Sequence, residues 1–179
     1  RHPLLRGAQE LLGPAVLAFA RGGQGGAALG ALGGRGRLGR LLKQEVGNQV
    51  AIGAWVLGPY TLAGQLVDLS QLAKAAFKKT DVVRDVLEKL AGALIQIIKS
   101  YRAAGADYVT VREMGAGPDI LSPRMFESLV RPPLKRIFDG IESPKILHIC
   151  GDTNAIVDQM VLCGADAISV EKKNKVVET

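Results

Sequence analysis

Hydrophobic residues in the range 44–179 follow two alternating patterns, one typical of buried strands and one of amphipathic helices. Short apolar runs predict strands at 50–56, 107–113, 145–150 and 167–171. Between these runs, apolar residues recur every three or four positions, as on one face of a helix. The longest such stripe follows Thr80 and consists of Val83, Leu87, Leu90, Leu94, Ile97 and Tyr101.

Capping residues and prolines predict where the helices begin and end. Thr80, Ser122 and Asn154 stand where an N-cap is expected, because their side-chain oxygens can accept from the first free backbone N–H groups. Shorter helices are predicted at 69–79, 122–130 and 154–162. The pair Pro132-Pro133 predicts a break, after which a second helical piece continues to Phe138.

A weak internal repeat supports an alternating strand–helix layout. Residues 104–111 (AGADYVTV) are similar to residues 163–170 (CGADAISV), and each segment has the pattern of a helix end, a glycine turn and a strand. Strand–helix alternation with right-handed crossovers predicts a parallel α/β sheet, either closed as a barrel or open and doubly wound. Periodicity alone does not choose between the two.

The first 43 residues differ from the rest in composition. They contain half of the chain's 22 glycines, together with seven basic residues and one acidic residue. No period in the Gly/Ala/Arg-rich part of this segment would build a helix or strand. We interpret 1–43 as an aberrant or disordered segment, either a flexible basic tail or an out-of-frame translation, and 44–179 as the globular domain.

Charge, cysteine content and hydropathy exclude several classes of protein. The segment 1–43 accounts for the whole net charge of +6, so the globular part is neutral and nucleic-acid binding is not expected. Two cysteines and the absence of a signal peptide indicate the cytoplasm. No apolar run reaches the roughly 18 residues that a membrane span needs.

Two residues at the end of the third predicted strand are candidate metal ligands. Positions i and i+2 of a strand project to the same face, so His148 and Cys150 point together at the carboxyl end, where α/β folds place their sites. Nitrogen and thiolate sulfur suit zinc, although a buried His beside a buried Cys is also a common core feature. Glu171 ends the next strand at the same level and is a third candidate ligand.

Other polar residues are weaker candidates for the same cavity. Glu113 stands at the corresponding end of the preceding strand, and Tyr60 lies in the turn 58–64 that follows the first strand. We predict that both bind substrate. Cys163 precedes a glycine at the opposite end of a strand–helix unit, and we interpret it as a small core residue outside the site.

Three segments resemble a known family, the corrinoid-dependent methyltransferases, which include the methylcobamide:coenzyme M methyltransferases of methylotrophic methanogens. The segments are 55–64 (WVLGPYTLAG), 148–153 (HICGDT) and 164–171 (GADAISVE). The family belongs to the uroporphyrinogen decarboxylase superfamily of (β/α)8 barrels. The resemblance therefore implies a partial TIM barrel, with about half of the barrel present, since a whole one needs about 250 residues.

The resemblance also implies a site and a reaction. One zinc ion would be held by His148, Cys150 and a later cysteine beyond Thr179, with Glu171 as a carboxylate that leaves when the thiol binds. The methyl group would come from a methylcobamide carried by a separate corrinoid protein. The acceptor would be a small thiol, coenzyme M or another; the sequence does not identify it.

Two alternatives stay open. The first is uroporphyrinogen decarboxylase itself, a carboxy-lyase that shares the fold and uses no metal, so that His148 and Cys150 would have no role. The second is an inactive truncated fragment, because four strands of a barrel leave open edges.

Overall fold

Four parallel strands form the centre of the structure, a computed structural model that describes residues 38–172 and 174. They are β1 (Gly53–Leu57), β2 (Tyr108–Arg112), β3 (Lys145–His148) and β4 (Ala167–Ser169), hydrogen-bonded in the order β1-β2-β3-β4. All four predicted strands are confirmed, although each is shorter than its apolar run.

Helices connect these strands. They are α1 (38–46), α2 (Pro59–Val67), α3 (Leu69–Lys78), α4 (Thr80–Ala103), α5 (Pro123–Met125), α6 (Arg131–Asp139) and α7 (Val157–Val161), with a 3-10 turn at Met114–Ala116 and a π-helical turn at Phe126–Val130. Of the segment 1–43, the part before residue 38 lies outside the described residues, whereas 38–43 are helical rather than irregular.

The strand order distinguishes a barrel from a doubly wound sheet. In doubly wound folds the strand order reverses at a switch point, whereas a (β/α)8 barrel adds each strand beside the one before it. Here every strand pairs in parallel with the next strand along the chain, and helices connect them. The fold is part of a (β/α)8 barrel.

The two faces of the sheet differ in burial. The outer face packs against the helices and carries Val56, Val109, Val111 and Leu147, which are at most 6% exposed. The helix α4 contributes its apolar stripe to this core as predicted, except that Ile98 is buried in place of Ile97. The opposite face, called the inner face here, is only partly buried.

Two predicted helix boundaries are wrong. The Thr80 hydroxyl donates to the carbonyl of Ala76 at 2.7 Å instead of capping α4. The Asn154 side chain donates to Asp152, and α7 begins at Val157 without a side-chain cap. The second helical piece predicted from Pro132-Pro133 is confirmed, because α6 begins at Arg131 directly after the π-helical turn and has both prolines in its first turn, where an N–H is not needed.

Ser122 is an N-cap as predicted, since its hydroxyl accepts from the Met125 N–H at 3.3 Å. No helix among the described residues is long and apolar enough to cross a membrane.

The internal repeat corresponds to two equivalent joints at the amino ends of the strands. Gly105 and Gly164 have φ angles of 97° and 87°, which favour glycine. Asp107 then accepts from the Ile52 N–H at 2.8 Å, and Asp166 accepts from the Lys145 N–H at 2.8 Å. Each repeat therefore fastens the start of one strand to the start of its neighbour.

Candidate active site

The strand register brings three polar side chains together at the carboxyl end of the inner face. Arg112 of β2 pairs with His148 of β3, and His148 pairs with Ser169 of β4. Neighbouring strands lie about 4.8 Å apart, so these residues form one row across the sheet. His148, singled out from the sequence, therefore lies on the inner face at the expected end.

His148 is held by a neighbouring strand. Its Nδ1 lies 3.2 Å from the carbonyl oxygen of Ser169 and 3.1 Å from the Ser169 hydroxyl. A carbonyl oxygen only accepts, so in the tautomer with the proton on Nδ1 the ring donates to Ser169 and the Nε2 lone pair is available. Ligating histidines are commonly oriented in this way by a bond from their second nitrogen. The arrangement fits a metal ligand.

Cys150 and Glu171 continue the same register beyond the strands. Cys150 lies two residues after His148, and Glu171 lies two residues after Ser169, its partner in the register. Cys150 is half-buried, whereas Glu171 is exposed. Among residues 38–172 and 174, no three His, Cys, Asp or Glu side chains lie close enough together to hold a metal ion. The zinc site built from His148, Cys150 and Glu171 therefore stays a prediction.

Asn174, which the sequence did not single out, fastens the loops that carry these two residues. Its Oδ1 accepts from the Thr153 N–H at 2.6 Å and from the Thr153 hydroxyl at 2.9 Å. Its Nδ2 donates to the carbonyls of Gly151 at 3.0 Å and Glu171 at 2.9 Å. One buried amide thus holds the loop after β3 against the loop after β4.

Arg112 is a second polar residue that the sequence did not single out. Its guanidinium carbon lies 4.8 Å from the centre of the Trp55 ring, on the neighbouring strand. Its Nε is buried and has no hydrogen-bond partner among the described residues. An arginine in a β-strand pattern carries no local signal of its function, so only the register places it beside His148.

Glu113 and Tyr60 lie behind the sheet rather than on its inner face, and both are 0% exposed. The Glu113 carboxylate accepts from the N–H groups of Tyr60 at 3.0 Å and Thr61 at 2.6 Å, and from the Thr61 hydroxyl at 2.5 Å. It therefore binds the free N–H groups at the start of α2. The prediction that these two residues bind substrate stays a prediction.

Burial shifts the acid–base equilibria of this pair. It raises the pKa of Glu113 to about 7, although the three hydrogen bonds from Thr61 and Tyr60 favour the ionised form. Burial and the nearby Glu113 carboxyl raise the pKa of the Tyr60 hydroxyl to about 12. Gly58 leaves room for the Glu113 carboxylate, because a Cβ at position 58 would lie only 2.4 Å from it.

Cys163 is a core residue, as predicted. It is 0% exposed, and its thiol donates to the carbonyl of Gln159 at 3.3 Å. Burial raises its pKa to about 12. The thiol is therefore protonated at neutral pH and is not available as a metal ligand.

Known proteins with similar sequences include two groups of enzymes. The chain is 35% identical over 134 residues to "Methylcobamide:CoM methyltransferase MtaA" of Methanosarcina barkeri (strain Fusaro / DSM 804), which covers 75% of this chain and 40% of that protein. It is 30% identical over 142 residues to "Uroporphyrinogen decarboxylase 2, chloroplastic" of Oryza sativa subsp. japonica, covering 73% of this chain and 36% of that protein. The chain thus spans well under half the length of these curated relatives.

A solved structure and a family match agree with these relatives. A methyltransferase from Methanosarcina mazei superimposes with a TM-score of 0.72 at 32% identity, over 75% of this chain and 40% of that one. Residues 36–179 match the family described as Uroporphyrinogen decarboxylase (URO-D). Since this match extends over most of the sequence, the chain belongs to the uroporphyrinogen decarboxylase (URO-D) family.

Proposed function

We propose that this chain is part of a zinc-dependent methyltransferase, which moves a methyl group from a methylated corrinoid protein to a small thiol such as coenzyme M. The observation that carries the proposal is the His148 imidazole, two residues before Cys150, whose Nδ1 lies within hydrogen-bond distance of the Ser169 carbonyl and hydroxyl. This pair lies in a chain 35% identical to a protein named as a methylcobamide:CoM methyltransferase.

The residues supply binding and orientation in this proposal. His148 and Cys150 would hold the zinc ion, and Glu171 would provide a displaceable carboxylate. The bound ion would lower the pKa of the acceptor thiol, so that a thiolate exists at neutral pH. His148 and Cys150 lie at the end of a strand, and so the acceptor sulfur would be held in a fixed direction for in-line attack. Other parts of the barrel would complete the ligand set.

The partners follow from this reaction. A corrinoid carrier protein would present its methyl group at the carboxyl ends of the strands, and the small thiol would enter from the same side. We expect both encounters in the cytoplasm. Neither nucleic acid nor a membrane is required.

Uroporphyrinogen decarboxylase is the second candidate, because a relative of that name is 30% identical over 142 residues. It leaves the orientation of His148 and its spacing from Cys150 without a role. Methyl transfer explains both features, so we favour it.

Metal analysis tests the proposal in a protein that contains this chain in a completed barrel. We expect one zinc ion per protein after dialysis, measured by mass spectrometry of the metal. His148→Ala and Cys150→Ser should each abolish stoichiometric zinc and methyl transfer from free methylcobalamin to a thiol. Without a bound zinc ion, the acceptor thiol would keep its ordinary pKa and would be mostly protonated at neutral pH.

Cys163→Ala is the matched control, since Cys163 is the chain's other cysteine and is buried away from the inner face. It should keep full zinc content. Circular dichroism of each variant checks the fold. Full zinc occupancy in both His148→Ala and Cys150→Ser would show that the proposed ligands are wrong.

A further inference from the structure

Arg112 occupies an unusual position on the inner face. The strand positions that share this face are Gly53, Trp55, Leu57, Tyr108, Thr110, Arg112, Ile146, His148, Ala167 and Ser169. Among them Arg112 carries the only permanent charge, and no carboxylate is present. A cation half-removed from water without a counter-charge is costly unless an anion reaches it.

The Arg112 side chain also has no hydrogen-bond partner among the described residues. None of the ion pairs found among the described residues includes Arg112, and its buried Nε has no partner there. Arg102 also has a buried Nε without a partner there, but its terminal nitrogens donate to the carbonyls of Ala106, Asp107, Glu142 and Pro144. Those bonds give Arg102 a structural role in the fold, whereas no hydrogen bond or ion pair in the described part of the chain holds the Arg112 guanidinium.

The Trp55 ring supports the Arg112 guanidinium from one side. The ring lies beneath Arg112 at 4.8 Å and is 49% exposed. Stacking on an aromatic ring occupies one face of the guanidinium plane and leaves the N–H groups at its edge available. The planar fork of arginine matches the paired oxygens of carboxylate, phosphate and sulfonate groups.

We propose that Arg112, supported by Trp55, binds the oxyanion group of a small acceptor substrate whose reacting end lies at the neighbouring His148. The strand register places the two residues side by side on one face. The identity of the ligand as the thiol acceptor rests on the proposed function, whereas anion binding itself does not require a metal or methyl transfer.

Fluorescence of the 179-residue chain, at a concentration low enough to keep it monomeric, tests anion binding, because Trp55 is its single tryptophan. Ethanesulfonate, propionate and ethyl phosphate are titrated at constant ionic strength, with neutral ethyl methyl sulfone as the uncharged probe. We expect a saturable change with at least one oxyanion and none with the sulfone. The relative affinities of the three anions identify the preferred oxyanion.

Two substitutions and a control decide whether Arg112 is responsible. Arg112→Gln should weaken anion binding by about tenfold or more, because the charge and the fork are both lost. Arg112→Lys keeps the charge without the fork and should bind with intermediate affinity. Arg84→Gln removes one positive charge from the exposed side of α4 and should bind like the wild type. Circular dichroism checks that the variants are folded.

Equal affinity of Arg112→Gln and the wild type would overturn the proposal. So would the absence of a saturable response in the folded wild-type chain. If a variant does not fold, kinetics of the completed barrel decide. Arg112→Gln should then raise KM about tenfold for a sulfonate-bearing thiol and leave KM for 2-mercaptoethanol unchanged.

Failure of methyl transfer is distinguishable from failure of this inference. If the wild type lacks zinc and transferase activity but binds an oxyanion through Arg112, the proposed function is wrong and the anion subsite stands. If zinc and activity are present while Arg112→Gln leaves both binding and KM unchanged, the subsite is wrong and the proposed function stands.

Discussion

At the scale of single residues, the carboxyl end of β2 places two neighbouring charged groups in opposite environments. Arg112 lies on the inner face, whereas the Glu113 side chain turns to the outer side and is fully buried at the start of α2. Strand alternation is the cause, because adjacent side chains project to opposite faces. Glu113 is therefore a link between β2 and α2, made through the Tyr60 and Thr61 N–H groups.

The buried carboxyl predicts a specific dependence of stability on pH. Its folded pKa is raised from 4.5 to about 7, so the folded chain binds a proton that the unfolded chain has released between those values. The free energy of unfolding should therefore fall as the pH rises from about 4.5 to about 7, by on the order of 3 kcal/mol from this group. Urea denaturation at a series of pH values measures it.

Glu113→Gln should remove this contribution, because its amide keeps an acceptor oxygen for the α2 N–H groups but does not titrate. Glu142→Gln, at an exposed residue near the end of α6, is the matched control and should keep the wild-type pH dependence. The same pH dependence in Glu113→Gln and the wild type would contradict this account of the buried carboxyl.

The sequence identified some site residues and missed others for a physical reason. His148 and Cys150 were recognisable because imidazole and thiol are rare, reactive groups and an i, i+2 spacing on a strand defines a shared face. Arg112 and Asn174 carry no such signal, since arginine and asparagine are common surface residues. Their roles depend on contacts between segments distant in the sequence, such as the bonds from Asn174 to Thr153.

At the scale of elements, periodicity predicted the existence of helices and strands better than their ends. The stripe of α4 and the four strands have many apolar positions each, so their patterns are unambiguous. Boundaries depend on single hydrogen bonds, and the predicted caps at Thr80 and Asn154 bond elsewhere. At Pro132, the preceding π-helical turn lets the Arg131 N–H bond to the Phe126 carbonyl, so the prolines start a new helical segment.

The connection between the loops after β3 and β4 gives a prediction at this scale. Asn174→Ala leaves the buried N–H of Thr153 without its acceptor, and an unpaired buried donor costs about 1–3 kcal/mol. We expect a loss of unfolding free energy of that size in urea denaturation. In the completed barrel, zinc affinity should also fall about tenfold, because these loops carry Cys150 and Glu171.

Asn48→Ala is the control for this substitution, because Asn48 is exposed in the turn after α1. It should change the unfolding free energy by less than about 0.5 kcal/mol. If Asn174→Ala changes the unfolding free energy as little as Asn48→Ala does, the Asn174 amide does not hold the two loops together.

At the scale of the whole molecule, the sequential parallel sheet is the part of the fold that the sequence alone left open. Alternating strands and helices are compatible with an open sheet and with a barrel, because both bury the same apolar faces. The choice depends on how each strand pairs with the next, which no residue-level pattern records. Here the resemblance to barrel enzymes supplied the expectation, and the order β1-β2-β3-β4 confirmed it.

This architecture predicts that the 179-residue chain self-associates. Its inner face carries Trp55 at 49% exposure, and a partly apolar sheet face with strand edges tends to pair with other chains. In a completed barrel, the remaining strands would cover that face. We therefore expect sedimentation velocity to show dimers or larger species of the 179-residue chain at micromolar concentration and a lower tendency to associate in the completed barrel.

Trp55→Gln should weaken association of the chain, whereas Phe77→Gln, on the more exposed Phe77 of α3, should not. A monomeric wild-type chain, or equal weakening by both substitutions, would show that the inner face is not the associating surface.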